Sequence, residues 1–212
     1  MSVVMKSGEV PRYASGERVN HWAVALLFLL LAASGLAFFH PAFYFFSWLL
    51  GGGVWARILH PFVGVLLAVL FALMAARYWS DNVIQSYDRE WNKRLTDVIN
   101  NRDQNLPAIG KYNMGQKQLF WVMVITVALL FVSGIVLWRP YFAGQFPVAL
   151  IRIAAVAHAA CAFVLILGII VHIYAGVFWV RGSLRAMTRG TVSHAWAKHH
   201  HALWYQRVTG NK

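Results

Sequence analysis

Four apolar runs, each about the length of a bilayer crossing, leave this chain few ways to fold. They occupy residues 21–39 (HWAVALLFLLLAASGLAFF), 55–78 (WARILHPFVGVLLAVLFALMAARY), 119–138 (LFWVMVITVALLFVSGIVLW) and about 150–180. A hydrocarbon core of about 30 Å takes roughly 20 helical residues. In lipid a helix satisfies every backbone hydrogen bond within its own segment. The first run is stopped by His40-Pro41 and the third by Arg139-Pro140. The expectation is an all-α fold, an integral membrane four-helix bundle forming a single domain over 1–212, with a loop at 79–118 and an amphipathic tail at 181–212. The first and third runs share a Ser-Gly pair near their far ends, Ser34-Gly35 and Ser133-Gly134, which hints at close helix contact or a weak internal repeat.

Composition supports this class. Of 212 residues, 59% are hydrophobic and 12% charged, whereas a soluble domain is typically about one quarter charged. The net charge of +12 is read through membrane topology, not nucleic acid, because the basic residues flank the apolar runs. The single cysteine, Cys161, excludes a disulfide framework, a cysteine-ligated iron–sulfur cluster and a haem attached through C-x-x-C-H; it is read as a small packing residue. No cleavable leader is evident, and the first run reads as a retained span.

The loops set direction. Lys6, Arg12 and Arg18 precede the first run; Arg77, Arg89, Lys93, Arg94, Arg102, Lys111 and Lys117 lie around the central loop; Arg181, Arg185, Arg189, Lys198, Arg207 and Lys212 lie in the tail. The opposite side has only Arg57, Arg139 and Arg152. By the positive-inside rule the N-terminus, the central loop and the C-terminus are all cytoplasmic. The loop has helix-like stretches over 87–98 and reads as an interfacial segment with a turn. The tail alternates aromatic and basic residues, as a segment lying on the membrane surface does.

Direction gives each membrane histidine a depth. His21 falls at the cytoplasmic end of the first span, His60 near the outer end of the second, and His158 and His172 near the outer and inner parts of the fourth. The last two are 14 residues apart (172 − 158), which returns to within about 40° of the same direction and rises about 21 Å. The four therefore sort into two pairs, His60 with His158 outside and His21 with His172 inside. Ionisable residues within spans face the bundle interior and mark function, and two imidazoles at one depth are what a six-coordinate haem iron takes. Gly35, Gly64, Gly134 and Gly168 leave room for flat rings. His40 competes with His60 for the outer site and ranks second beside Pro41. His194, His199, His200 and His201 read as surface residues of the tail.

The segments ERVNHW (17–22), RILHPFVG (57–64), KYNMGQK (111–117), SGIVLWRPYFA (133–143), VHIYA (171–175) and AWAKHHHALWY (195–205) resemble the cytochrome b, or gamma, subunits of membrane-bound respiratory formate dehydrogenase. The resemblance covers nearly the whole chain. It implies two haems b held by His21, His60, His158 and His172, in the same pairs as those derived from depth. By local chemistry YNMGQK reads as a helix-capping turn; the resemblance implies a cytoplasmic-side quinone site there, at Asn113, Gly115 and Gln116 near His172, for menaquinone or ubiquinone. It further implies a bacterial inner-membrane location. The implied partners are a catalytic molybdenum or tungsten formate dehydrogenase subunit and an iron–sulfur subunit with a membrane anchor, beside lipid. The chain would not be an enzyme alone, but would pass electrons inward from the periplasmic iron–sulfur subunit to quinone. The alternatives are the cytochrome b of a nickel–iron hydrogenase or related periplasmic oxidoreductase and, in another class, a haem-free membrane anchor or transporter.

Overall fold

The computed structural model describes residues 8–210, so Lys6 and Lys212 lie outside the described residues. A short strand β1 (Glu9–Pro11) is followed by helix α1 (Ser15–Phe39), a 3-10 helix (Pro41–Leu50) and helix α2 (Gly53–Tyr78). Two short helices, α3 (Ser86–Lys93) and α4 (Leu95–Ile99), precede the long helices α5 (Met114–Leu137) and α6 (Val148–Tyr174). A π-helical segment (Ala175–Trp179), α7 (Leu184–Thr188), strand β2 (Thr191–Ser193), α8 (His194–His200) and α9 (Ala202–Thr209) complete the chain.

Ser15–Phe39, Gly53–Tyr78, Met114–Leu137 and Val148–Trp179 are long and apolar enough to cross a membrane, and they contain the four runs seen in the sequence except for the final residue of the third and fourth. They are apolar all round, with Leu26, Phe163 and Ile170 among many exposed side chains, as expected of helices whose surroundings are themselves apolar. All four start earlier than the apolar runs, α1 and α5 by the most, and for these two the reasons are local. At α1 the Glu17 carboxylate accepts from Ala14 N–H at 2.6 Å, occupying a donor that the first turn leaves without a helical partner. At α5 the start is fixed by Asn113 and Gln116, described below.

The chain forms two compact units. One comprises Val19–Ala76 and Val122–Val171. In it α1 and α2 run antiparallel, with Asn20 Nδ2 donating to Leu70 O at 3.2 Å and Gly64 lying beside Leu31. Phe62 of α2 meets Trp138, just past α5, edge to face at 5.0 Å.

The other unit gathers the described residues of Met1–Arg18, Arg77–Trp121 and His172–Lys212. Here β1 and β2 pair antiparallel in the register Glu9↔Ser193, Val10↔Val192, Pro11↔Thr191. Val10, Ala186, Val192, Ala197 and Trp204 form a small core. Gly190 makes the turn before β2 with a positive φ of 83°, and its carbonyl accepts from the backbone N–H of both Arg12 and Tyr13. The structure adds one detail to the helical fold, the β1–β2 ribbon, which the sequence does not signal because each strand has three residues and its partner lies at the other end of the chain. The tail buries Trp204 and packs Trp196 and Tyr205 against a core it shares with Val10. Within the loop, Asp88 Oδ2 accepts from Gln85 N at 2.7 Å and from Lys117 Nζ at 2.6 Å, joining α3 to the first turn of α5.

Candidate functional site

His60 on α2 and His158 on α6 come together as the depth argument requires: their ring centroids are 6.4 Å apart with planes 58° apart. Each is held from behind by a serine on the preceding long helix. Ser34 Oγ lies 2.7 Å from His60 Nδ1, and Ser133 Oγ lies 2.9 Å from His158 Nδ1. Both hydroxyls also lie close to the carbonyl four residues back, Ser34 to Leu30 O at 2.8 Å and Ser133 to Leu129 O at 2.6 Å. A hydroxyl has one proton. With that proton directed to the carbonyl, Oγ meets the ring nitrogen as an acceptor, so Nδ1 carries the ring proton and Nε2 keeps its lone pair.

The glycine after each serine faces the same ring. A methyl at Gly35 would lie 3.8 Å from His60 Cε1, and one at Gly134 would lie 3.5 Å from His158 Cε1, filling space beside the carbon that adjoins Nε2. The Ser-Gly pairs, weak hints in the sequence, are thus the backing of both histidines. The signal was present as a repeated offset, serine to histidine at 26 and 25 residues.

This arrangement fits a haem b. Two imidazoles bound to one metal at about 2 Å each hold their ring centroids roughly 6 Å apart, close to the separation found. The second ring nitrogen of a metal-bound histidine normally donates to a fixed acceptor, a part filled here by Ser34 and Ser133. His40, the competing candidate, is exposed and caps the 3-10 helix instead, its Nδ1 accepting from Ala42 N at 3.2 Å.

His21 lies on α1 with its ring 5.2 Å from Trp22, in the unit that holds His60 and His158. His172 lies three residues before the π-helical segment, in the other unit.

Asn113, Gly115 and Gln116 build the start of α5. Asn113 Oδ1 accepts from Gln116 N at 2.8 Å, and Gln116 Oε1 accepts from Asn113 N at 2.9 Å. This reciprocal pattern is a capping box. It occupies both side-chain oxygens and leaves the two amide NH2 groups as donors to something else. Gly115 admits Trp91: a methyl there would come 3.3 Å from the indole and 3.5 Å from Asn113 Oδ1.

The tail histidines divide. His199 is exposed and bonds Asp103 through Nε2 at 3.0 Å, and His194 meets the Tyr205 hydroxyl at 3.1 Å. Ligand atoms of Asp103, His199 and His200 lie within 4.8 Å of one another, at the surface and with the first two already joined. His201 corrects the surface reading, being 2% exposed. Burial is possible because both ring nitrogens are satisfied: Nδ1 donates to Gly110 O at 2.9 Å and Nε2 accepts from Arg12 Nη2 at 3.3 Å. Arg12 also donates to Lys111 O at 2.6 Å and stacks over Trp204 and Trp196, 4.6 and 5.2 Å from their centroids. Burial, and then the Arg12 charge, hold His201 far below the usual histidine range. Burial likewise raises the Tyr112 phenol, whose neighbour Tyr13 meets it hydroxyl to hydroxyl at 3.0 Å.

Residues 12–190 match the family model of prokaryotic cytochrome b561. The chain is 45% identical over 199 residues to the cytochrome b556(fdo) subunit of formate dehydrogenase from Escherichia coli K12, covering 94% of this chain and 93% of that one. It is 40% identical over 201 residues to a formate dehydrogenase cytochrome b556 subunit of Haemophilus influenzae, covering 95% of this chain and 84% of the relative. Against the nitrate-inducible formate dehydrogenase cytochrome b556(Fdn) subunit of Escherichia coli K12 the identity is 37% over 203 residues, 96% and 93% covered. With four apolar helices and a family match that spans residues 12–190, the chain belongs to the prokaryotic cytochrome b561 family.

Proposed function

We propose that this chain is the dihaem cytochrome b subunit of a membrane-bound formate dehydrogenase, conducting electrons inward from a periplasmic iron–sulfur subunit to a quinone on the cytoplasmic side. The observation that carries the reading is the His60–His158 pair, whose Nδ1 atoms are both committed to serines. His60 and His158 would hold the outer haem b, and His21 and His172 the inner one. Each haem iron supplies a one-electron couple. The relatives named above support the choice of formate dehydrogenase as the complex. They and the family match favour a haem-bearing subunit over a haem-free anchor or transporter.

The protein's own part is to hold, orient and insulate. The serines fix which imidazole nitrogen each outer ligand presents, and the apolar helices keep water from the conducting path. Asn113 and Gln116, through the amide NH2 groups left over by the capping box, would donate to quinone carbonyls. Cytoplasmic placement of both termini and the loop rests on the charge of the connections. It is supported by the gathering of β1, the loop and β2 with the tail in one unit, which an even number of crossings allows. Reducing quinone on that side would draw its protons from the cytoplasm while negative charge moves inward.

The test is purification of the native complex. Two non-covalent haems b per chain are expected, with a formate-oxidising subunit and an iron–sulfur subunit co-purifying. One haem per chain would sink the dihaem reading, and a hydrogenase large subunit in the complex would replace the assigned electron donor.

A further inference from the structure

We propose that Ser34 and Ser133 are matched positioning residues of the outer histidine pair. Each accepts the Nδ1 proton of its ring, so that both rings offer Nε2 to the iron as strengthened donors and keep that site's potential low. The proposal rests on the reading of His60 and His158 as axial ligands.

Three observations carry it. First, the contact is made twice. Ser34 backs His60 and Ser133 backs His158, at 2.7 and 2.9 Å, from two different helices onto two others. A chance contact has no reason to recur with the same atom pair. Second, a carbonyl stands ready for each hydroxyl proton. Ser34 is 1% exposed and Ser133 8%, shielded from solvent, and each Oγ lies within hydrogen-bond distance of the carbonyl of Leu30 or Leu129. Such back-bonding to the i−4 carbonyl is the usual fate of a serine inside a helix. With the proton placed there, what remains on Oγ is acceptor capacity and the ring donates. Third, the glycine that follows each serine keeps a side chain away from the same ring edge, so the Ser-Gly pair serves the histidine in both of its residues.

The consequence is chemical as well as geometric. A ring that donates from Nδ1 to a fixed oxygen is oriented and more basic at Nε2. A stronger donor favours the oxidised metal over the reduced one, and hydrogen bonding around the ligands is one of the protein's levers on haem potential. The outer site is the entry point in the proposed conduction path. Holding it low there favours onward passage over accumulation.

The experiment is a spectroelectrochemical titration of the purified complex, comparing wild type with Ser34→Ala, Ser133→Ala, the double Ala variant, and Ser→Thr and Ser→Cys at each position. The outer haem is the one missing from His60→Ala, and the other haem is the internal control. At a fixed potential the reduced-to-oxidised ratio of the outer haem should rise several-fold in each Ala variant and about tenfold in the double, a shift of 59 mV for one electron. Thr, which keeps a back-bonding hydroxyl, should restore the wild-type ratio. Cys, a weaker acceptor of similar size, should shift it towards Ala and so reports even if an Ala variant fails to assemble. An unmoved ratio in haem-replete Ala and Cys variants overturns the proposal, as does a Thr variant shifted as far as Ala. If His60→Ala keeps both haems, the ligand assignment fails instead, and that outcome is separate from any serine result.

Discussion

Mild acid should release the C-terminal tail through one residue. His201 is buried with Nδ1 donating to Gly110 O and Nε2 accepting from Arg12. A second ring proton would have to sit on Nε2, facing a guanidinium. Burial first, and then Arg12, lower its pKa from 6.5 to about 2. The folded value is depressed, so the unfolded tail takes up a proton below pH 6.5 that the folded tail refuses. The stability is fully present above pH 6.5 and declines as pH falls, by about 1.4 kcal/mol per unit. At pH 5 the loss is about 2 kcal/mol, roughly thirtyfold in the opening equilibrium, and it requires only that the folded pKa lie well below 5. His200, held down by burial and by His199, adds in the same direction. Hydrogen exchange of residues 194–209, corrected for intrinsic rates between pH 7 and 5, reads the effect directly. His201→Gln separates the two histidines: its amide can still donate to Gly110 and accept from Arg12, but it does not titrate. The variant should lose most of the acid sensitivity. Protection that is flat from pH 7 to 5, or equally acid-sensitive in wild type and His201→Gln, would refute the reasoning.

Other outcomes follow from the same geometry. His60→Ala or His158→Ala should remove one haem and leave the other assembled, whereas His40→Ala should remove none, since His40 serves a helix cap; haem content and difference spectra decide, and the reverse pattern would reassign the outer ligand. Asn113→Ala or Gln116→Ala should cost about 0.5–2 kcal/mol of capping while sparing both haem spectra and their reduction by formate. Reoxidation by quinone should slow in the assembled complex, and unchanged turnover in the double variant would leave the turn a cap and nothing more. Lys117→Met should be severe, on the order of 3–5 kcal/mol, because Asp88 is fully buried and would lose its 2.6 Å ammonium partner. Adding Asp88→Asn should recover part of that loss, which hydrogen exchange over α3 would show.

The spans were legible because lipid demands an unbroken apolar run, a signal carried by every residue of the segment. His60 and His158 were legible because topology converts sequence position into depth. The serines behind them were visible only as a repeated pair, since a hydroxyl in a helix is usually a local back-bonder and its second partner lies 26 or 25 residues away. Asn113 and Gln116 show a local rule holding: their spacing is that of a cap, and a cap is what they form. Arg12 and His201 were opaque for the opposite reason. Their contact spans 189 residues, and three consecutive histidines near a chain end look like solvent-facing residues until a cation and a carbonyl are brought to one of them.

The pairing of Glu9–Pro11 with Thr191–Ser193 also imposes an order on synthesis. At roughly 5–20 residues per second, the first strand waits some ten to forty seconds after emerging before its partner is made. Until then Val10 and Arg12 have no core to enter. The ribbon closes only when both chain ends arrive on the same face of the membrane, which requires every intervening crossing to have been threaded with the right parity. A chain that had lost one span would hold these segments on opposite faces, with Val10 and Val192 parted from the core they share. Closure of the ribbon is therefore contingent on the four long helices that lie between its strands, although it contains none of their residues.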